Sequence, residues 1–397
     1  MILIADLHIH SKYARACSKS LDIANIEKFA RIKGLSLCGT GDFTHPKWYS
    51  QLNETLVREE DGIYYTKTDF PFVAQTEISL VYTQGKGRRI HNIVLAPSLE
   101  VVKQITDELL KRGRVDYDGR PIFKIPCPEF VEMLRSISPD IEVIPAHVWT
   151  PWFSLFGSKS GFDSIQECFQ DKTKHIHAIE TGISSDPQMN WRLSQLDNIN
   201  IVSFSDAHAH WPWRLGREAT VFELPKITYK NLLGALRTGN GIKETIEFFP
   251  EEGKYHFDGH RKCEICFAPK ESKNHNLNCP KCNKPLTIGV LHRIETLADR
   301  PEGYAPKNRP SFKRLIPLGE IISHAIDTPV GSKKMWVQYQ KLIAAFGNEM
   351  NVLLDAPAED IAKASIQRIA EYVVKNREQK IKFFPGYDGE YGTPKFQ

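Results

Sequence analysis

The stretch Ile2-Leu3-Ile4-Ala5-Asp6-Leu7-His8-Ile9-His10 decides how the fold is read. Its apolar start has the character of a short strand, and Asp6, with no basic segment before it, argues against a secretory leader. Strand side chains alternate with a period of two, so His8 and His10 leave the strand end on one face. Two imidazoles presented together in this way can open a metal site.

Working outward, apolar runs recur at Leu35–Thr40, Phe72–Val81, Ile90–Ala96, Ile141–Pro145, Ala178–Glu180, Ile199–Phe204 and Thr220–Leu224. Helical periods lie between several of them: Ile23–Lys33 before Gly34, Leu99–Arg112 before Gly113, Phe130–Ile137 and Tyr229–Arg237. Strand followed by helix, several times over, predicts an α/β barrel or a doubly wound sheet. The uneven spacing leaves the strand number open.

The polar residues at the ends of these runs carry the chemistry. Asp42 follows the second run in Gly39-Thr40-Gly41-Asp42-Phe43-Thr44-His45, Glu77 lies in the third, and His91 opens the fourth. His147 ends the fifth, Glu180 the sixth, and Ser205-Asp206-Ala207-His208 the seventh. One histidine near a strand end is ordinarily a packed or solvated residue. A His, Asp or Glu at each of seven successive runs is a pattern, because the C-terminal strand ends of an α/β barrel converge on one rim. Imidazole and carboxylate together suit Zn²⁺, Mn²⁺ or Fe²⁺, and these donors outnumber the ligands of one zinc. A cluster of two or three ions is expected, with phosphate-ester hydrolysis as its usual chemistry.

At 397 residues the chain has room for two or three domains, or for one large barrel with appendages. Hydrophobic residues at 41% and charged residues at 25% exclude wholesale disorder. The 52 Lys and Arg exceed the 48 Asp and Glu by too little to mark a nucleic-acid binder by bulk charge. No apolar run reaches the length of a membrane span. Cys17, Cys38, Cys127 and Cys168 are scattered, unlike a secreted disulfide frame, so a cytoplasmic protein is expected.

After Gly239-Asn240-Gly241 the character changes. Residues 251–319 hold thirteen Lys or Arg against eight Asp or Glu. Within them Cys263-Glu264-Ile265-Cys266 and Cys279-Pro280-Lys281-Cys282 form two CxxC knuckles, twelve residues apart. That spacing predicts a structural zinc site with Cys263, Cys266, Cys279 and Cys282 as its four ligands. Such a site lets metal bonds substitute for a core too small to fold alone. The neighbouring Arg261, Lys262, Lys270, Lys273, Lys281 and Lys284 are either phosphate contacts or a solvated face. Helical periods return in Trp336–Phe346 and Ala358–Lys375, and the tail Phe384–Gly389 reads as a turn or docking strand.

Over residues 1–240 the order of motifs resembles the PHP (polymerase and histidinol phosphatase) metallo-phosphoesterases. The resemblance implies a distorted (βα)7 barrel and up to three ions. It assigns His8, His10 and Asp206 to the first ion and Glu77 to a bridge. His91 and His147 complete the second, and Asp42 and His208 hold the third. Two departures stand out. Thr40-Gly41-Asp42 replaces the family's Thr-Asp-His, and Arg15-Ala16-Cys17 lies where a further histidine is usual. His45, Arg15 or Cys17 are therefore alternatives for the third position, and Arg15 also a direct phosphate binder. Glu180 is expected to partner a ligand rather than to be one.

The barrel is followed by the Cys module, then Gly289-Val290-Leu291-His292-Arg293, Leu297-Ala298-Asp299-Arg300 and Arg309-Pro310-Ser311-Phe312. With Gly39–Pro46, His147–Phe153 and Pro385–Gly392, this order resembles the endonuclease Q family over essentially the whole chain. The resemblance implies nicking of DNA on the 5′ side of uracil, hypoxanthine, xanthine or abasic sites, leaving a 3′-hydroxyl and a 5′-phosphate. It implies Zn²⁺ in the Cys site and the active site, and Mg²⁺ or Mn²⁺ for catalysis. The domains are then a PHP barrel (1–240), a zinc module (241–290) and a helical DNA-binding region (291–397).

A recessed metal cluster reaches a phosphate beside a stacked base only if the nucleotide is extruded. Trp149, Trp152, Phe153 and Trp211 are candidates to stack on bases, against ordinary rim packing. Arg293 and Arg309, with Arg88, Arg89, Arg300, Lys313 and Arg314, are candidate phosphate contacts. Two alternatives differ in class: a small-molecule phosphatase acting on histidinol phosphate or a sugar phosphate, and a catalytically silent DNA-binding module that partners a helicase. No motif identifies a sliding-clamp or helicase partner.

Overall fold

The protein is described by a computed structural model covering residues 1–396. Seven strands surround the centre of its larger part: β1 (Ile2–Asp6), β2 (Leu37–Gly39), β3 (Pro71–Gln84), β4 (Lys86–Ala96), β5 (Glu142–Pro145), β6 (Ala178–Glu180) and β7 (Asn200–Val202). β1 pairs parallel with β2 (Asp6 opposite Cys38), and β2 parallel with β3 (Gly39 opposite Val73). β6 and β7 are also parallel. Two seams close the ring with few backbone bonds. Val148 donates to the Glu180 carbonyl between β5 and β6, and His10 donates to the Ala207 carbonyl between β7 and β1.

The regular alternation of strand and helix fails at one place. β3 and β4 form an antiparallel hairpin, with Glu77 opposite Ile93 and Ser79 opposite His91. No helix intervenes, because Gly85 turns the chain at φ +71°. β4 then pairs antiparallel with β5 as well. One reversed strand among seven makes this a distorted barrel.

Helices cover the outside. α1 (Ile23–Lys33) occupies its expected span, with Asp22 accepting the Asn25 N–H at its start and Gly34 at its end. α2 (Leu99–Leu110), α3 (Cys127–Ile137) and α4 (Tyr229–Thr238) follow the remaining periods. Ile26, Phe29, Val102, Ile105, Phe130 and Leu134 from these helices are buried against the ring.

The sheet runs across both expected domain boundaries. β8 (Ala219–Glu223) pairs antiparallel with β1 and with β9 (Ile242–Glu247), and β10 (Ser311–Arg314) adds parallel to β9. The C-terminal helices are α5 (Leu318–Ala325), α6 (Lys333–Phe346), α7 (Glu349–Leu354), α8 (Ala358–Ala364) and α9 (Gln367–Arg377). The single period Ala358–Lys375 is thus split near Ser365, whose backbone leaves helical geometry. α7 docks on α1 through a buried ion pair: Lys33 Nζ lies 2.6 Å from Glu349 Oε1 and also donates to the Pro212 carbonyl.

The tail is a docking element. Lys382–Phe384 pairs with Thr393–Lys395, and Asp388 accepts from Thr287 Oγ1 at 2.6 Å and from the Arg261 N–H at 2.7 Å. Among the described residues, no helix is long and apolar enough to cross a membrane.

Candidate active site

The strand ends bring the expected residues to one buried place. His8 and His10 follow β1, Asp42 follows β2, Glu77 lies within β3, and His91 within β4. His147 follows β5, Glu180 ends β6, and Asp206 follows β7. Asp42, His147 and Asp206 have φ values of +40°, +31° and +48°. Three residues without glycine's freedom in left-handed backbone mark a site where strain is held by its surroundings.

Glu77 is the centre. Its Oε2 lies 3.6 Å from His8 Nε2 and 3.3 Å from His10 Nε2. Its Oε1 lies 2.6 Å from His91 Nδ1 and 3.2 Å from His147 Nε2. Asp206 Oδ1 joins the first half, 3.0 Å from His10 Nε2. The result is two donor groups that share one carboxylate: His8, His10, Glu77 and Asp206, and Glu77, His91 and His147, with the donor atoms in each within 4.8 Å of one another.

The donors are held from behind. His8 Nδ1 donates to Glu180, 2.9 Å from Oε1, and Glu180 Oε2 accepts the His147 N–H at 2.7 Å. His10 Nδ1 donates to Asp42 Oδ1 at 2.9 Å, while Asp42 Oδ2 accepts the Ser11 N–H at 2.6 Å. Carboxylates on Nδ1 fix the ring tautomer and turn Nε2 inward, as second-shell carboxylates do in histidine metal sites. His8 Nε2 is buried and has no hydrogen-bond partner. A buried imidazole nitrogen facing carboxylate oxygens fits a divalent ion.

Without an ion, and against burial, the carboxylates raise His8, His10 and His147 toward the protonated form. Burial opposes ionisation of Glu77, but His91, Arg120 and His8 outweigh it and hold the carboxyl well below its ordinary range. Asp206 is lowered in the same way, by His208, His8 and His10 against burial. Burial, exceeding the pull of Glu77, brings His91 down to about 4.

Several expected residues stand outside the two donor groups. Asp42 sits behind His10, with Oδ1 on His10 Nδ1 and Oδ2 on the Ser11 N–H. His208 lies on the rim, its Nδ1 donating to the Asp206 carbonyl at 2.8 Å. His45 stacks on Tyr13 at 4.4 Å, outside the cluster. The Arg15 side chain is 79% exposed, with Nε 3.6 Å from Asp118 Oδ2.

The aromatic expectations divide. Trp149 is buried, its indole N–H donated to Asn190 Oδ1, and offers no face to a base. Trp211 stacks on Trp213 and packs against Trp336 of α6, joining barrel to helices. Phe153 packs on His91 at 4.7 Å, and Trp152 stands partly exposed beside Tyr255.

Most of the arginines are spent internally. Arg293 binds Asp163 and the carbonyls of Phe156 and Phe162, and Arg309 binds the carbonyls of Leu196, Asp197 and Ile199. Arg300 pairs with Asp197, and Arg314 with Asp186. Folded guanidinium groups so committed serve packing first. Arg89 remains exposed, its guanidinium over the Phe153 ring.

Cys263, Cys279 and Cys282 lie together with His260 as a group that could hold an ion, with the donor atoms within 4.8 Å of one another, while Cys266, the expected fourth ligand, stands outside that group. The strand pairing explains this. Cys266 lies opposite Gly259 and His260 opposite Ile265, so Cys266 and His260 face opposite sides of the ladder. Cys266 Sγ points to the Pro385 carbonyl at 3.9 Å, whereas His260 Nδ1 is 3.5 Å from Cys282 Sγ. Burial opposes ionisation of Cys279, yet the Cys282 and Lys281 N–H groups bring it to about 7, suited to a thiolate ligand.

Arg120 was not legible as a site residue in the sequence. Its Nη1 lies 3.1 Å from Glu77 Oε2, and its side chain is 22% exposed. It follows Asp118-Gly119, a loop with no strand or helix period to point at the centre.

Comparison with known proteins covers the whole chain. Residues 317–380 match the family of MJ0043 C-terminal domains. MJ0043 of Methanocaldococcus jannaschii is 35% identical over 254 residues, which is 63% of this chain but 31% of that protein. The chain thus spans about a third of that relative's length. YqxK of Bacillus subtilis is 30% identical over 415 residues, covering 99% of both proteins. The lesion-specific endonuclease PfuEndoQ of Pyrococcus furiosus superposes with a TM-score of 0.89 at 31% identity, covering 100% of this chain and 95% of that one. Endonuclease Q in complex with a 27-mer duplex carrying an abasic lesion at its active site gives 0.90, also at 31%, covering 100% and 97%. At that identity and coverage of both chains, the chain belongs to the endonuclease Q family.

Proposed function

We propose that this protein is a metal-dependent DNA repair endonuclease. It hydrolyses the phosphodiester on the 5′ side of deaminated bases (uracil, hypoxanthine, xanthine) and of abasic sites. The observation that carries the reading is the pair of donor groups sharing Glu77, in a chain of the endonuclease Q family. His8, His10, Glu77 and Asp206 would hold one divalent ion, and Glu77, His91 and His147 a second. Ions bound there make water a competent nucleophile at neutral pH and neutralise charge developing on the phosphate.

The chain's own residues do the positioning. Glu180 and Asp42 fix the rings of His8 and His10, so the inward nitrogens are set before substrate arrives. Water's oxygen ends on phosphorus, and the P–O3′ bond breaks with its electron pair on the 3′-oxygen. The proton balance leaves a 3′-hydroxyl and a 5′-phosphate. Trp152, Arg89 and Arg15 lie exposed on the rim, where an extruded nucleotide and its flanking phosphates would meet them. Zn²⁺ suits the imidazole-rich donors and the Cys module, and Mg²⁺ or Mn²⁺ is proposed for turnover.

The test is direct. Duplexes carrying one uracil, hypoxanthine or abasic site are incubated with the protein and Mn²⁺, beside an undamaged duplex and histidinol phosphate. A nick 5′ to the lesion, absent from the undamaged duplex, is the expected result. Turnover of the phosphomonoester without nicking would replace the reading with a phosphatase, and binding without nicking with a silent module.

A further inference from the structure

Among the described residues, Arg120 is the guanidinium that reaches the cluster. Its Nη1 lies 3.1 Å from Glu77 Oε2, and its charge reaches Asp206 as well. The side chain is mostly buried yet 22% exposed, so one face of the fork meets the open rim. Glu77 and Asp206 both belong to the first donor group, so the guanidinium sits at its mouth.

The loop that carries Arg120 is fixed on every side. Asp118 Oδ1 accepts the N–H groups of Arg15 and Arg120, each at 3.1 Å. Gly119 donates to the Tyr13 carbonyl, and Ser79 donates to the Pro121 carbonyl. A Cβ on Gly119 would meet Asp42 Oδ2 at 2.3 Å, so only glycine lets the loop press this close to the carboxylate behind His10. Arg120 is therefore held in place by backbone before any substrate arrives.

We propose that Arg120 is a catalytic residue that takes the non-bridging oxygens of the scissile phosphate, supplying the positive charge that a third ion supplies elsewhere. A guanidinium fork matches two phosphate oxygens and keeps its charge at any working pH. Asp42, which would anchor a third ion, is committed to His10 and Ser11, so the site offers a fixed cation in that ion's stead. A preorganised charge aimed at the developing phosphate charge is worth about 10²- to 10³-fold in rate. This rests on the proposed phosphodiester chemistry.

The experiment uses Mn²⁺-loaded protein, with Arg120→Gln and Arg120→Lys beside the wild type. Three quantities are read: bound manganese per chain, affinity for inorganic phosphate, and single-turnover nicking of a duplex with an abasic site. The expected result is unchanged manganese in both variants. Phosphate affinity and nicking both fall about 10²-fold or more in Arg120→Gln, and less in Arg120→Lys. If Arg120→Gln instead loses manganese while its loaded fraction binds phosphate as the wild type does, Arg120 serves only to place Glu77 and the proposal is overturned. If the wild type nicks no lesion, the proposed function fails, and the phosphate titration still decides what Arg120 does.

Discussion

His8 and Glu180 face each other across the floor of the site, with Nδ1 2.9 Å from Oε1 and both side chains fully buried. The carboxylate does two jobs, since its other oxygen takes the His147 N–H. It thereby ties a donor of the first ion to the segment that carries a donor of the second. Glu180→Gln keeps the shape but weakens both holds. Manganese affinity and nicking rate should each fall about 10- to 100-fold while the fold persists. A manganese titration followed by nicking at saturating metal checks this, and wild-type affinity in the variant would show that Glu180 has no hold on the donors.

The ion pair between Lys33 and Glu349 fastens the C-terminal helices to the barrel. Glu349 also accepts the Leu318 N–H and the Tyr339 hydroxyl, so removing it strands three buried donors. Glu349→Ala should cost about 3–5 kcal/mol in chemical denaturation. Lys33→Met with Glu349→Leu removes the stranded charge but leaves the Leu318 N–H and the Tyr339 hydroxyl without Glu349, so it should recover only part of that loss. An unaltered midpoint for the single variant would mean that the helices dock by apolar packing alone.

Glu247 is buried beyond the ends of β6 and β7, where its Oε2 accepts the hydroxyls of Thr181 and Ser203. Burial pushes its pKa from the ordinary 4.5 up to about 8. Between those values the folded protein keeps a proton that the unfolded chain gives up, so stability falls as pH rises and levels off above about 8. Glu247→Gln retains the hydroxyl contacts without the titration. The drop in melting temperature between about pH 5 and about pH 8.5 should be smaller in the variant than in the wild type. Equal drops would remove Glu247 from the account.

The Cys module predicts an asymmetry between two neighbouring donors. His260→Ala should release zinc to a chelator far faster than wild type, and Cys266→Ser should hold it as wild type does. The reverse order would restore Cys266 as the fourth ligand.

The barrel and the residues gathered at its centre were legible because alternation and strand ends are local features. His8, His10, Glu77, His91, His147 and Asp206 all stand at or near apolar runs, and the structure gathers all six. The hairpin of β3 and β4 was hidden because a two-strand reversal needs only one glycine, while a βα unit and a hairpin give similar apolar runs. That Asp42 meets the Nδ1 of His10 was not legible, since spacing reports nearness and not which nitrogen a carboxylate meets. Trp149 and Arg293 looked available because composition does not reveal that Asn190, Asp163 and two carbonyls already hold them. Arg120 gave no signal, as a loop has no period.

The central claim is that Glu77 organises two ions for cutting lesion-bearing DNA. It is tested most directly by single-turnover nicking of a duplex with one abasic site, comparing wild type with Glu77→Ala under Mn²⁺, and with duplex binding measured in parallel. The account predicts a nick on the 5′ side of the lesion by the wild type. It also predicts a loss of at least about 10³-fold in the variant, with duplex affinity retained. A Glu77→Ala protein that nicks at the wild-type rate would contradict it.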